Sequence, residues 1–248
     1  MLRKALLTLA LAILFVALTA PASVWDARLR STTADSLALL DATGSAWNGN
    51  AQLAVRDPAS GRWRPITRLS WSFQPRRLLS GEFLWRFSVA DGVPFSLAAM
   101  LTGIRAEGVS LQLPARFALE RIPHMFGRAG WRGDLSIQVP GLQCSWRGLC
   151  DGKAQATWRG AAADLFQGRP LGDYQVQATA NAGTVRLDLQ TLAGDVRLDG
   201  TGEFRPDRHG SANGTVEGDP NFVGRLPNIA GQWVTRESAG RFRFNVTY

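Results

Sequence analysis

The stretch GSAWNGNAQLAV, residues 44–55, sets Trp47 two positions before Gly49 and then alternates. Ala51, Leu53 and Val55 fall on one side of an extended chain, and Asn48, Asn50 and Gln52 on the other. Apolar residues at a period of two mark a half-buried strand. The same Trp-x-Gly spacing returns at Trp131/Gly133, Trp146/Gly148 and Trp158/Gly160. With nine Trp and 26 Gly in 248 residues, chance supplies about one such triplet, so four point to a recurring structural device. Residues i and i+2 of a strand share a face, so each indole is expected to lie over the backbone its glycine leaves bare.

Alternation extends through much of the chain. Leu69, Trp71 and Phe73 oppose Ser70 and Ser72; Phe83, Trp85, Phe87 and Val89 oppose Arg86 and Ser88. Further segments run Val109–Leu113, Trp131–Val139, Ala154–Trp158, Tyr174–Ala180, Val185–Leu189, Val196–Leu198 and Phe242–Tyr248. About ten short strands separated by turn residues such as Asn181-Ala182-Gly183 read as antiparallel sheet. Helix signals are sparse: PARFALERIPHMFG allows two turns before Pro123, and DPNFVGRLPNIAG one. With no long amphipathic helix to cover it, the sheet is expected to bury its apolar face by curving, as a roll, sandwich or half-open barrel. No compositional break forces a second domain, although the segment near residue 145 could separate two halves.

The amino end adds a different element. Arg3 and Lys4 precede an uncharged run from Ala5 to Trp25, and Leu6–Trp25 as a helix would extend about 30 Å, the thickness of a bilayer core. Positive charge on the short side keeps that end cytoplasmic. This reads as a tail (1–4), a span (5–25) and an exported β domain (26–248). A cleavable signal is the competing account, because Ala20-Pro21-Ala22 resembles a cleavage site. Both accounts export the remainder. Cys144 and Cys150 are then expected to pair in an oxidising compartment. A metal pair lacks further ligands, since no third Cys exists and the two His residues are His124 and His209.

Composition and motifs exclude more than they assign. The net charge of +8 is nearly all arginine, scattered singly as at Arg132, Arg147, Arg159, Arg186 and Arg197, which forms no footprint for nucleic acid. No Gly-x-Ser-x-Gly elbow and no phosphate loop occurs, and Gly200-Thr201-Gly202 reads as a turn or bulge rather than a dinucleotide loop. Asp188, Asp199 and Glu203 occupy polar strand positions. The chain is not expected to be an enzyme or to hold a cofactor or metal.

Three ordered segments carry a resemblance: Gly-x-x-Trp-x-Gly-x-Ala at 44–51, Trp-x-x-x-Pro-x-x-Leu at 71–78, and Pro-Leu-Gly-x-Tyr at 170–174. With the short basic tail, the apolar run and the closing PNIAGQWVTRESAGRFRFNVTY, the chain resembles protein N of the type II secretion system through nearly its whole length. That resemblance implies an uncleaved, single-pass inner-membrane anchor and a periplasmic β domain. Its implied role is accessory and non-enzymatic, with other secretion subunits and the inner membrane as partners. A curved Trp-lined sheet holding a lipid or another apolar ligand is the alternative, and an outer-membrane barrel a further one.

Overall fold

The computed structural model describes residues 15, 18–57, 60–90, 92–119, 129–164, 169–207, 209–224 and 233–247. Two compact units divide the chain, residues 1–101 and 102–248. The boundary therefore falls at Leu101/Thr102; the cysteine segment near residue 145 lies inside the second unit.

Among the described residues of the first unit five strands follow one another as an antiparallel meander: β1 (Leu37–Gly44), β2 (Asn48–Arg56), β3 (Trp63–Phe73), β4 (Glu82–Val89) and β5 (Phe95–Met100). Helix α1 (Ser23–Thr32) precedes them and packs along β1. Trp25 and Leu29, one helical turn apart, share a face and lie on the core of Ala22, Leu39, Ala51, Trp71 and Phe87. The helix is short, in keeping with the absence of a long amphipathic helix, but the sequence does not announce it, because the apolar run ending at Trp25 overlaps its start. The Asp26 carboxylate, held by Arg30, accepts the Leu39 N–H at 2.7 Å. It thereby satisfies a donor on strand β1.

The described residues of the second unit form nine strands: β6 (Gly103–Pro114), β7 (Trp131–Ser145), β8 (Cys150–Ala163), β9 (Pro170–Asn181), β10 (Thr184–Ala193), β11 (Arg197–Phe204), β12 (Gly210–Glu217), β13 (Val234–Ser238) and β14 (Arg241–Thr247). Neighbours in sequence pair from β6 to β12, and β14 then pairs β12 with β13 outside it. All pairs are antiparallel. Phe242, Tyr174, Leu171, Val196 and Val223 form its core with Ala161 and Ala163. The Asn181-Ala182-Gly183 turn is as expected: Ala182 (φ 48°) and Gly183 (φ 83°) are both left-handed, which matches the twist of a tight hairpin.

The mainly β, antiparallel reading holds, and in neither unit do the described strands close into a barrel. Gly200-Thr201-Gly202 is not a turn or bulge but the middle of β11, in unbroken register with both neighbours. One turn of the PARFAL segment is helical, α2 (Ala115–Leu119), and Pro220–Val223 is the single turn α3. Glu120, Ile122, Pro123, His124 and Tyr248 lie outside the described residues, as does most of the expected span, residues 5–14, 16 and 17. No helix among the described residues is long and apolar enough to cross a membrane. The far end of that run is nonetheless visible, because Pro21 bridges to Ser45 and Ala22 is buried in the first unit's core.

Candidate functional site

The turn between β1 and β2 interrupts regular pairing, so its carbonyls need other donors. Three indoles supply them. Trp25 and Trp85 donate from Nε1 to the Ala46 oxygen at 2.8 and 3.1 Å, and Trp71 donates to the Ser45 oxygen at 3.0 Å. Trp47, from the turn itself, stacks on Trp85 with centroids 5.9 Å apart and meets Phe73 edge-on at 4.8 Å. The incoming chain is clamped to the same turn. Ala46 N–H donates to the Ala20 oxygen at 2.8 Å, and Ala22 N–H donates to the Gly44 oxygen at 3.2 Å. The quoted stretch is therefore a buckle: it fastens the chain that follows the apolar run to the sheet, beneath a cage of tryptophans.

The four Trp-x-Gly pairs share no single geometry. Gly49 is covered most closely by the indole of Trp71, its directly paired residue on β3. Gly133 (φ 101°) sits at a register shift where β7 meets Arg159 and Gly160 of β8. Gly160 (φ 59°) and Gly148 (φ 81°, in the hairpin turn) have open space where a side chain would begin, so neither Trp158 nor Trp146 overlies them. Cover by aromatics recurs elsewhere, mostly across strands: Phe244 lies over its partner Gly214 and over Gly200, and Phe204 over its partner Gly210, while Phe204 also flanks Gly202 two positions away on its own strand β11. Paired residues stand about 4.5–5.5 Å apart, whereas i and i+2 are separated by nearly 7 Å along the strand, so a ring reaches the neighbouring strand more readily than its own.

Trp131 and Trp158 meet edge-on at 5.2 Å, and Trp158 Nε1 donates to the Arg132 oxygen at 3.0 Å. Next to them Tyr174 is 4 % exposed and donates its hydroxyl to the Val196 oxygen at 2.9 Å. Burial, assisted by the nearby Asp173 charge, pushes its hydroxyl up to about 12. Cys144 and Cys150, directly paired at the end of the β7–β8 hairpin, form a disulfide. The tip it closes carries Trp146, 64 % exposed.

A depression of about 500 Å³ opens on the first unit, with a mixed lining of polar residues (Asp41, Asn50, Gln52, Arg68, Ser70, Ser88) and apolar ones (Ala51, Leu69, Val89, Ala90). Asp41 (φ 51°) stands at the register shift between Leu40 and Thr43, a β-bulge that brings its backbone to the rim. Its hydroxyls, amides and one charge of each sign can hydrogen-bond beside apolar side chains, and the lining holds no His or Cys to activate a nucleophile. No group of three His, Cys, Asp or Glu residues among the described residues could hold a metal. Asp199 accepts from the Thr191 N–H, Glu203 pairs with Arg186 and Arg205, and His209 sits in the β11–β12 turn.

Against known families, the profile described as type II secretion system (T2SS), protein N, matches residues 35–245. The chain belongs to that family. No curated protein and no solved structure matches it. Protein N family membership implies a role in type II secretion, and the family is not known as an enzyme. The matched span takes in strands of both units and begins after α1, so the buckle joins a segment before the family match, Ala20–Trp25, to one inside it. A disulfide in a protein N family chain is consistent with the cell envelope.

Proposed function

We propose that the chain is an accessory inner-membrane component of the type II secretion system. It is anchored once by the apolar run that begins at Ala5 and ends before Ala20, with its β units in the periplasm, and supports export through contacts with other secretion subunits. The family match over residues 35–245 carries this reading. The buckle supports the anchored form: Ala20 and Ala22 are hydrogen-bonded to the β1–β2 turn and Ala22 is 1 % exposed, so a signal-type cut there would fall inside a built part of the fold.

The test is a strain lacking the gene, complemented with the full chain. Secreted enzyme should return to the medium, the protein should resist carbonate extraction from the inner membrane, and N-terminal sequencing should find no new terminus near Ser23. Unchanged secretion in the deletion strain would refute the role; a terminus at Ser23 would refute the anchor.

A further inference from the structure

Strand register in the first unit places several connections at one end of its sheet. Asn48 pairs with Ser72, Phe73 with Trp85, and Glu82 with Met100. Consequently the 45–47 turn, the β3–β4 connection with its 3-10 turn (Pro75–Ser80), and Leu101 after β5 all lie at the end where Pro21 bridges to Ser45. That end has an unusual surface. Leu79 and Leu101, each 94 % exposed, are the two most exposed large apolar side chains among the described residues, and Leu78 and Phe83 beside them are also exposed. Arg76 and Arg77 precede the leucines; Glu82, which opens β4, keeps 15 % of its side chain exposed, 3.9 Å from Arg77. At the opposite end the described connections expose a single large apolar residue, Val93.

We propose that this end of the first unit seats on the bilayer, with Leu78 and Leu79 entering the headgroup boundary and Arg76 and Arg77 meeting lipid phosphates. The inference rests on the anchored reading above and deepens it. Its occupant follows from continuity: the apolar run Ala5–Leu18 enters the fold at this same end, through Thr19–Ala22, so a span there holds the 3-10 turn within reach of the surface. Protruding leucines beside arginines have the chemistry of an interfacial contact, apolar side chains in the acyl boundary and guanidinium groups among the phosphates. The Gln74 and Gly81 backbone N–H groups, bonded to the Leu84 and Leu78 oxygens, brace the turn that presents them.

The experiment uses the full chain in proteoliposomes of phosphatidylethanolamine and phosphatidylglycerol, labelled with an environment-sensitive fluorophore at L79C or, for comparison, at S60C on the opposite end. The native disulfide leaves the single new thiol to react. The expected result is blue-shifted emission at 79, quenched by nitroxides placed near the lipid headgroups, with neither effect at 60. A chain that resists carbonate extraction yet shows the same emission and quenching at both positions overturns the proposal while the anchor stands. Should the amino segment prove cleaved, the soluble mature chain is added to the same vesicles. A blue shift at 79 then upholds the contact without the span, with R76Q and R77Q each weakening binding about fivefold; no shift overturns it.

Discussion

A methyl group added at Gly49 would lie 2.5 Å from the Thr43 oxygen and 2.6 Å from the Trp71 indole, so Gly49→Ala must displace either a ladder carbonyl or a ring of the core. Overpacking of this kind costs about 1–3 kcal/mol. Gly160→Ala meets open space and bears only the left-handed backbone penalty at φ 59°, about 1 kcal/mol. Urea midpoints for both variants, with near-ultraviolet circular dichroism, separate the cases: only Gly49→Ala should alter the tryptophan signal. Tyr174 supplies a test by pH. Its folded value of about 12 lies above the ordinary 10, so the neutral hydroxyl is favoured in the native state. Its contribution is complete below pH 10 and is lost as pH rises from 10 to 12, because the unfolded chain ionises first. The loss reaches about 2.5 kcal/mol. Denaturant titrations at pH 9 and 11.5 should show this fall, and Tyr174→Phe, weaker by about 1 kcal/mol at pH 9 for want of the bond to Val196, should show a smaller one.

At the scale of elements, the Cys144–Cys150 bridge ties two directly paired residues across a hairpin. Closing so short a loop should stabilise the second unit by about 2 kcal/mol. Replacing both cysteines by serine is therefore expected to lower the unit's unfolding midpoint and to raise amide exchange first at the tip, residues 145–149, while exchange at Leu39 and Leu53 of the first unit stays unchanged. Hydrogen exchange read by mass spectrometry checks both halves. Strands whose apolar residues alternate strictly, such as Trp85–Val89 and Phe242–Val246, were legible in the sequence because one face is wet and the other packed. Those that escaped lack that contrast. Leu37–Gly44 opens with a near-continuous apolar run and contains a bulge, Gly210–Glu217 is small and polar with Phe244 packing over its bare backbone, and Phe95–Met100 and Val234–Ser238 are short. The buckle was half legible: the Trp and Gly spacing advertised a device, but which strand supplied each indole depended on register. Register is a long-range property that spacing within one strand does not encode.

For the whole molecule, the decisive question is where the apolar run proposed as an anchor ends and the folded β unit begins, because that junction determines whether a force or tilt on one is felt by the other. The sequence drew the line after Trp25, from hydropathy alone. In the fold Trp25 donates to the Ala46 oxygen, Ala22 is buried, and Ala20 and Ala22 share two backbone hydrogen bonds with the β1–β2 turn. Ala20–Trp25 therefore works as part of the sheet's own structure although its composition suits a bilayer. A chain cut to begin at Thr19 keeps these bonds, and one cut to begin at Ser23 loses both and uncovers apolar surface against Leu39 and Trp71. Two net hydrogen bonds and a buried methyl amount to about 2–4 kcal/mol. The shorter chain should accordingly unfold its first unit at a lower urea concentration, with the change read by tryptophan fluorescence. Faster exchange at the Ser45, Ala46 and Trp47 amides should accompany it. Equal midpoints for the two chains would mean that the buckle carries no load, and that the junction is a tether free to swing.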